Sequence, residues 1–464
     1  MPWAFARAPR PKGDPRYFGG DVPWIMIADV TRQPGKYLYK TREGVTEAGA
    51  ALSRKISAGE LILSNSATVC VPKILKVDGC IHDGFVAFPT LKERVNLDFA
   101  YYWFEFVRPT MIQENRQGVT QVNLNTGIVR EMHFPLPPLA EQRRIVAEIE
   151  KQFTRLEAGV AALRRVQANL KRYRAAVLKA ACEGRLVPTE AELTAKNAKS
   201  TKTKPDSLSA LSAFSVANQP AYETGEALLA RILTERRQNW QGRGQYKEPA
   251  VPDTAKLSSL PEGWTWARLE QLGVTYGGLT KNPKRTKLAK QLPYLRVANV
   301  YANELRLDDI EYIGVADSEL AKLLVRAGDL LIVEGNGSKD QIGRLAIWDG
   351  SIDSCVHQNH LIKVRPVEPR MPKWILHWLQ SPGGRQFVEL VASSTSGLFT
   401  LSVNKVGNLL IPLPPLAEQT RIVAEVERRL SVVEELESVV AANLQRAVRL
   451  RQSILQKAFT GQLV

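Results

Sequence analysis

The chain has 464 residues, 44% of them hydrophobic, enough for about three domains and a sizeable core. No apolar run approaches the roughly 18 residues of a membrane span, Met1 opens no signal-peptide pattern, and Cys70, Cys80, Cys182 and Cys355 form no CxxC pair. These features argue against a membrane protein, a disulfide scaffold or a zinc ribbon, and for a cytoplasmic chain with reduced thiols. The net charge of +16, from 63 basic and 47 acidic residues, predicts a polyanionic partner.

Between Met1 and His133 the sequence predicts short β-rich runs between turns, with few helical signals: PWIMIADV from Pro23, ELILSNSATVCV from Glu60 and CIHDGFVAF from Cys80. Next comes PLPPLAEQRRIVAE, Pro135 to Glu148, which is written again as PLPPLAEQTRIVAE, Pro412 to Glu425. The same spacing holds to GRLV ending at Val187 and GQLV ending at Val464, so this is an internal repeat. Each copy predicts one long helix, with prolines before it, Glu141 or Glu418 in its first turn, and Gly184 or Gly461 closing it. Ile149, Phe153, Leu156, Val160, Leu163, Val166, Leu170, Tyr173 and Val177 step by fours and threes as a coiled-coil seam does. Val426, Leu430, Val433, Val440, Leu450 and Ile454 match them in the second copy, with Asn443 in place of Val166. About 45 residues at about 1.5 Å each make a rod about 65 Å long, which suits a spacer.

From Pro188 to about Ser259 runs a connector whose first part, PTEAELTAKNAKSTKTKPDSLSALSAFS, has no periodicity and predicts mobile chain. Lys196, Lys199, Lys202 and Lys204 within it read as solvated linker rather than a binding surface. GEALLARILTERRQNW from Gly225 predicts a short helix, and LPEGW at Leu260 opens a second globular part. That part repeats the order of the first, with PYLRVANV from Pro293, AGDLLIVEGNGS from Ala327, SCVHQNHLIKV from Ser354 and then the amphipathic KWILHWLQ from Lys373. Cys80 and His82 match Cys355 and His357. A metal site of Cys355, His357 and His360 is the sharper interpretation, but a strand shared by diverged copies explains the likeness more cheaply.

The repeated PLPPLAEQ and RIVAE strings, TERRQ at Thr234, GQYKEP at Gly244 and LPEGWTWARLEQLG at Leu260 together resemble the specificity subunits of type I restriction-modification systems, along the whole chain. The resemblance implies an α/β (α+β) architecture, in which two β-rich target-recognition domains are joined by a long antiparallel two-helix coiled coil with a pseudo-twofold internal repeat. Its boundaries fall at 1–134 and 260–411 for the recognition domains, 135–187 and 412–464 for the spacer helices, and 188–259 for the linker. Antiparallel rods relate the two domains as the strands of a duplex are related, and a rigid rod sets the gap between half-sites at about 3.4 Å per base pair. Because the domains differ, an asymmetric bipartite target is expected.

The resemblance also implies a non-catalytic chain that recruits two methyltransferase (modification) subunits, which use S-adenosylmethionine to methylate adenine, and restriction subunits that add ATP- and Mg-dependent translocation and cleavage. Those cofactors are expected on the partners and none in this chain. One departure concerns the start. Aligning Pro23 with Pro293 puts the counterpart of Leu260 before Met1, so the first domain is expected to lack its opening strand, and either the true start lies upstream or PWAFARAPRPK replaces it. Weaker stability or recognition is expected from that domain, since an open sheet edge is a liability.

DNA contacts are expected where cations and amides share a loop. YGGLTKNPKRTKLAK, with Lys281, Lys284, Arg285, Lys287 and Lys290 and no acid, suits phosphate. EGNGSKDQIGR offers Asn336, Ser338, Lys339, Gln341 and Arg344 to base edges and lacks the GxxxxGK[ST] of a nucleotide loop. SSTSGLFTLS from Ser393 is a third polar loop; its counterpart RQGVTQVNLN carries Arg116, Gln117, Thr120 and Gln121, while SNSAT, the counterpart of EGNGS, carries Asn65, Ser66 and Thr68. Ordinary polar turns are the competing interpretation of each. Trp264 and Trp266 suit core packing better than base stacking. Partner contact falls to Ala140, Glu141, Gln142 and Arg144 and to Ala417, Glu418, Gln419 and Arg421, which equally suit helix initiation. No Asn/Asp-Pro-Pro-Tyr loop, phosphate loop or carboxylate cluster is found. A self-contained DNA methyltransferase or nuclease would need a diverged site and is one alternative, and a coiled-coil scaffold binding nucleic acid without sequence choice is another.

Overall fold

The computed structural model describes residues 9, 12–65, 68–114, 116–117, 121–122, 126–201, 222–240, 244–395 and 397–463. The chain divides into an amino-terminal unit, Met1–Gln167 with Ser438–Val464, and a central unit, Ala168–Glu437.

In the amino-terminal unit the strand Phe18–Ile25 lies between Glu43–Val45, antiparallel, and Gly79–Ile81, parallel, with Arg54–Ile56 beyond. A second sheet runs in the order Tyr37–Leu38, Pro72–Leu75, Leu61–Ser64, Phe85–Phe88. The run PWIMIADV is strand only as far as Ile25. Asp29 is buried and accepts from the Met26 N–H at 3.0 Å, which turns Ile27–Arg32 into a helix. The counterpart PYLRVANV behaves alike: strand to Leu295, then a 3-10 turn Val297–Asn299 in which Asn299 accepts from the Arg296 N–H at 2.8 Å.

The expectation of few helices before His133 is corrected by the 18-residue helix Leu97–Glu114. Its first turn is capped by Asn96, which accepts from the Phe99 N–H at 3.0 Å. Phe99, Tyr101, Tyr102, Trp103 and Phe104 are all buried, so four consecutive apolar positions hide the helical period that would have announced it. The same stretch of the central unit is two helices, Pro372–Gln380 and Pro382–Val391, divided where Ser381 leaves helical backbone and caps the second.

The central unit carries a sheet ordered Gly273–Tyr276, Leu361–Pro366, Leu330–Val333, Leu345–Ile347, and a second ordered Glu311–Gly314, Gln291–Leu295, Val356–His357. Parallel pairing matches Trp24 with Cys80 and Tyr294 with Val356. The matched cysteines are therefore one residue out of register: Cys80 packs with Trp24, whereas Cys355 packs with Leu295 on the opposite face. Cys355 and His357 are fully buried. The His357 Nδ1 lies 3.0 Å from the Leu361 carbonyl, and burial lowers its pKa to about 4, so the ring is neutral. Among the described residues no group of three or more His, Cys, Asp or Glu could hold a metal ion.

The two long helices span Leu139–Cys182 and Leu416–Phe459. Both end in a Schellman turn, where Gly184 (φ +67) and Gly461 (φ +75) take the left-handed conformation and the next N–H reaches back, Arg185 to Ala180 and Gln462 to Lys457, each at 2.9 Å. In the amino-terminal unit the early part of the first helix meets the late part of the second, with Arg451 over the Phe153 ring at 4.0 Å and bonded to Glu157 at 3.4 Å. In the central unit late meets early: Arg174 reaches Glu437 at 3.2 Å, and Val177, Leu178 and Ala181 share a core with Val423, Val426 and Leu430. The helices are thus antiparallel. Their seam is less continuous than its periodicity suggests. Ile149, Phe153, Leu170, Val177, Val426, Leu430, Val433, Val440 and Ile454 are buried, but Val166, Tyr173 and Leu450 are 42%, 45% and 48% exposed. Over so long a run a straight helix drifts off a seven-residue repeat, by about 20° per heptad, and turns those positions outward.

The connector begins with a helix, Glu190–Thr201, where mobile chain was expected. The cause is a capping box: the Thr189 N–H donates to Glu192 Oε2 at 3.0 Å and the Glu192 N–H to Thr189 Oγ1 at 3.2 Å. Lys196 is exposed on that helix, and Lys202 and Lys204 lie outside the described residues. The helix Gly225–Gln238 forms as expected, capped by Thr224, and buries Leu228 and Ile232 in the central core.

The two repeats differ most at their junctions with the long helices. In the central unit Leu410–Leu413 pairs antiparallel with Thr265–Arg268, and Leu413 and Leu416 are 0% and 5% exposed. In the amino-terminal unit 133–136 is not strand, and the equivalent Leu136 and Leu139 are 65% and 46% exposed. Each buried leucine contributes about 1.5–3 kcal/mol that its exposed twin does not. Residues 1–8, which include most of PWAFARAPRPK, lie outside the described residues.

Candidate nucleic-acid interface

Two of the expected loops of the central unit come together. Gly335–Asn336 pairs with Leu398–Thr400, which pairs in turn with Ser393–Thr395, giving a three-stranded sheet in which Asn336 faces Phe399 and Gly335 faces Thr400. The Leu401 N–H closes it on the Glu334 carbonyl at 2.8 Å. Beyond Asn336 the chain folds on itself: Asn336 Oδ1 accepts from the Ser338 N–H at 2.9 Å, Ser338 Oγ donates to Asp340, and Gln341 Nε2 donates to Asp340 at 3.2 Å. These bonds hold the Asp340 carboxyl below its ordinary range. Ser338, Lys339 and Gln341 are exposed, while Asn336 is half-buried. Lys339 pairs with Glu389 at 3.5 Å. Arg344 is otherwise engaged, donating to the carbonyls of Val300 and Val297 at 2.9 and 3.0 Å with its guanidinium near the Tyr301 ring. It braces the fold there rather than facing out.

The basic loop is less positive than its sequence. Lys281 pairs with Glu311 at 2.6 Å, Lys290 with Asp317 at 3.3 Å, and Arg285 with Glu319 at 2.9 Å while also donating to the Gly314 carbonyl. The acids come from the strand Glu311–Gly314 and the helix Asp317–Leu323, which folding brings back onto the loop. Lys284 and Lys287 are exposed, on a 3-10 turn capped by Asn282, and have no ion pair among the described residues. No hydrogen bond or ion pair among the described residues joins this loop to the three-stranded sheet.

In the amino-terminal unit Asn65 is held in a turn, its N–H on the Gly84 carbonyl and its Nδ2 on the Asp83 carbonyl, both at 2.9 Å. The Thr68 carbonyl accepts from Ser64 Oγ. Arg116–Gln117 and Gln121–Val122 form a hairpin, Gln121 facing Gln117 and Val122 facing Arg116, at the repeat position of the Ser393–Thr400 hairpin. Ser66 and Thr120 lie outside the described residues.

The partner candidates divide. Glu141 and Arg144 are exposed, but Gln142, Glu418 and Gln419 are 1%, 0% and 1% exposed, so the latter three are corrected from a surface to an anchoring role. Gln142 accepts from the Asn96 N–H at 2.9 Å and donates to the Pro137 carbonyl at 2.8 Å, and Gln419 donates to Pro414 at 2.9 Å. Glu418 accepts from Trp264 Nε1 at 2.9 Å and from the Glu190 N–H at 3.1 Å. Burial raises its carboxyl above the usual range against those two bonds and Arg421. Arg421 is half-buried, paired with Glu190 at 2.5 Å. Trp264 and Trp266 are core, packed edge-on against Trp374 and Trp378. The repeated string thus fastens each long helix to its globular part. Lys405, absent from the expectations, bonds the hairpin at Ser393; it lies three residues past the end of the polar string at Ser402, where only the fold reveals it.

Residues 4–162 match the model of the type I restriction modification DNA specificity domain. Among curated proteins the chain is 24% identical over 422 residues to the type I restriction enzyme EcoKI specificity subunit of Escherichia coli strain K12, spanning 89% of this chain and 76% of that one. It is 25% identical to the EcoBI specificity subunit of Escherichia coli, over 76% of this chain and 63% of that one. In fold it is similar to a solved structure from work on complex assembly and conformational transition of the type I R-M system, with a TM-score of 0.62, 20% identity, and coverage of 100% of this chain and 95% of that one. The chain thus carries the type I restriction modification DNA specificity domain and is similar along most of its length to the specificity subunits of type I restriction enzymes.

Proposed function

We propose that this chain is the non-catalytic sequence reader of a cytoplasmic type I complex, binding an asymmetric bipartite DNA target whose two halves are read by its two β-rich domains. The observation that carries this is the repeat: each long helix follows a globular domain with a polar hairpin, and the two helices run antiparallel. Helices of equal length, 44 residues each, give a rod that fixes the number of base pairs between half-sites. In the central unit the sheet of Gly335–Asn336 and Ser393–Thr400 is the surface offered to base edges, with Lys284 and Lys287 as phosphate contacts. The hairpin of Arg116 and Gln121 with the loop at Asn65 serves in the first domain. Two modification subunits carrying S-adenosylmethionine and restriction subunits using ATP and Mg act on the sequence so chosen, and Glu141 and Arg144 are free to meet them.

The test removes residues in register from the middle of both helices. A ruler predicts a shorter gap between two unchanged half-sites. Unchanged spacing, or loss of all sequence preference by the unaltered chain in competition binding at fixed salt, refutes the proposal.

A further inference from the structure

The three-stranded sheet of the central unit depends on a side chain that neither composition nor repeat singles out. Arg385 lies on the helix Pro382–Val391 and is turned inward, with a side-chain exposure of 22%. Its Nη1 donates to the Ile342 carbonyl at 2.6 Å, and its Nη2 lies 3.4 Å from the carbonyls of both Lys339 and Asp340. One guanidinium therefore spans the backbone of the segment that displays Ser338, Lys339 and Gln341. A planar fork of five donors can do this; a lysine, a single point of charge on a flexible stem, cannot.

Packing makes the grip tight. Gly343 has φ +67, and a Cβ there would stand 2.7 Å from Val388 Cγ1 and 3.2 Å from Leu401 Cδ1, so loop, helix and the residue after the hairpin are in contact. Glu389, one turn along the helix, takes Lys339 at 3.5 Å and lies 4.0 Å from Arg385. The helix then runs through Ala392 directly into Ser393, the first residue of the hairpin. Both parts of the sheet are thus set by one helix, and its hold on the loop is through carbonyls, which every sequence has.

We propose that Arg385 is a positioning residue for sequence reading: by gripping the carbonyls of 339, 340 and 342 it holds Asn336, Ser338 and Gln341 in register with the hairpin and sets discrimination at one half-site without touching a base. This rests on the function proposed above. The bipartite target supplies an internal control, because loss of general stability weakens both half-sites whereas loss of register weakens one.

The test uses the full chain and its Arg385→Gln and Arg385→Lys variants, each selecting duplexes from a library with two randomised blocks separated by spacers of several lengths. The unaltered chain is expected to recover two defined half-sites. Arg385→Gln is expected to lose about tenfold in preference per constrained position in one half-site, as a displaced base contact would cost. Its other half-site, spacing and salt dependence of non-specific binding stay unchanged. Arg385→Lys is expected to lose preference at the same half-site to a smaller degree. Full discrimination at both half-sites in Arg385→Gln, or parallel loss at both, overturns the inference. If Arg385→Gln does not fold, Arg385→Lys decides: a folded variant with unaltered half-sites overturns it. Failure of the unaltered chain to select any sequence sinks the reader function itself, an outcome distinct from failure of the Arg385 inference alone.

Discussion

Lys363 is fully buried in the central sheet, and its amine donates to the carbonyls of Lys322 and Leu324 at 2.6 and 2.8 Å at the end of the helix Asp317–Leu323. A neutral amine keeps two N–H donors, which matches two carbonyls. Arg365, ion-paired to Asp329 at 2.6 Å, adds a positive neighbour. Burial, and then the Arg365 charge, bring the pKa down to about 7. Since the folded state binds fewer protons than the unfolded one between about 7 and the ordinary 10.5, stability must rise with pH across that window and fall as pH drops through 7. With one pKa unit equivalent to about 1.4 kcal/mol, the gain from pH 7 to pH 9 is about 2 kcal/mol. Substituting Lys363→Met removes the titration but leaves the Lys322 carbonyl without its donor, at about 1–3 kcal/mol. Urea unfolding followed by tryptophan fluorescence at pH 7, 8 and 9 measures both terms. The unaltered chain should gain stability over that range relative to Lys363→Met, and the two curves should diverge as pH rises. Parallel curves would mean that the amine stays protonated and hydrated, and would refute the buried-neutral-lysine argument.

The junction asymmetry yields a paired prediction: Glu418→Ala, which orphans the Trp264 and Glu190 donors, lowers stability by about 1.5–3 kcal/mol, whereas Glu141→Ala, at an exposed site, changes it by less than about 0.5 kcal/mol in the same thermal melts. Hydrogen exchange on the intact chain should find the amides of Ile411 and Leu413 protected by Thr265–Arg268 and those of Phe134 and Leu136 exchanging fast; equal protection would mean that the first domain's edge is covered after all. Gly343→Ala forces a Cβ into Val388 in a left-handed backbone and should cost about 1–3 kcal/mol, with a lowered melting temperature as the measure. Lys284→Ala with Lys287→Ala should weaken DNA binding evenly across sequences and flatten its salt dependence, whereas Lys281→Ala, whose charge Glu311 already answers, should do so less; a change in sequence preference would contradict a phosphate role.

The sequence alone determined the long helices, their ends and their duplication, because those features rest on local chemistry: prolines before the start, glycine in the left-handed turn at the close, and a repeat written almost without change. Several strands were legible for the same reason, since Leu61–Ser64 and Leu330–Val333 are short apolar runs bounded by turn residues. Three things were not. The helix Leu97–Glu114 was hidden because its residues 99–104 are all buried and apolar, which leaves no polar face there to mark a period. The capping box at Thr189 and Glu192 is a local signal that a Lys-rich composition outweighed. The role of each charged side chain was decided only by tertiary structure. Lys281, Arg285 and Lys290 look like one basic patch until Glu311, Glu319 and Asp317 fold back onto them. Glu141 and Glu418 share one sequence context and end exposed and buried, because Glu418 has Trp264 and the connector against it and Glu141 has neither among the described residues. A charge expresses itself through what lies within a few ångströms, and for residues far apart in the chain only the fold supplies that neighbour.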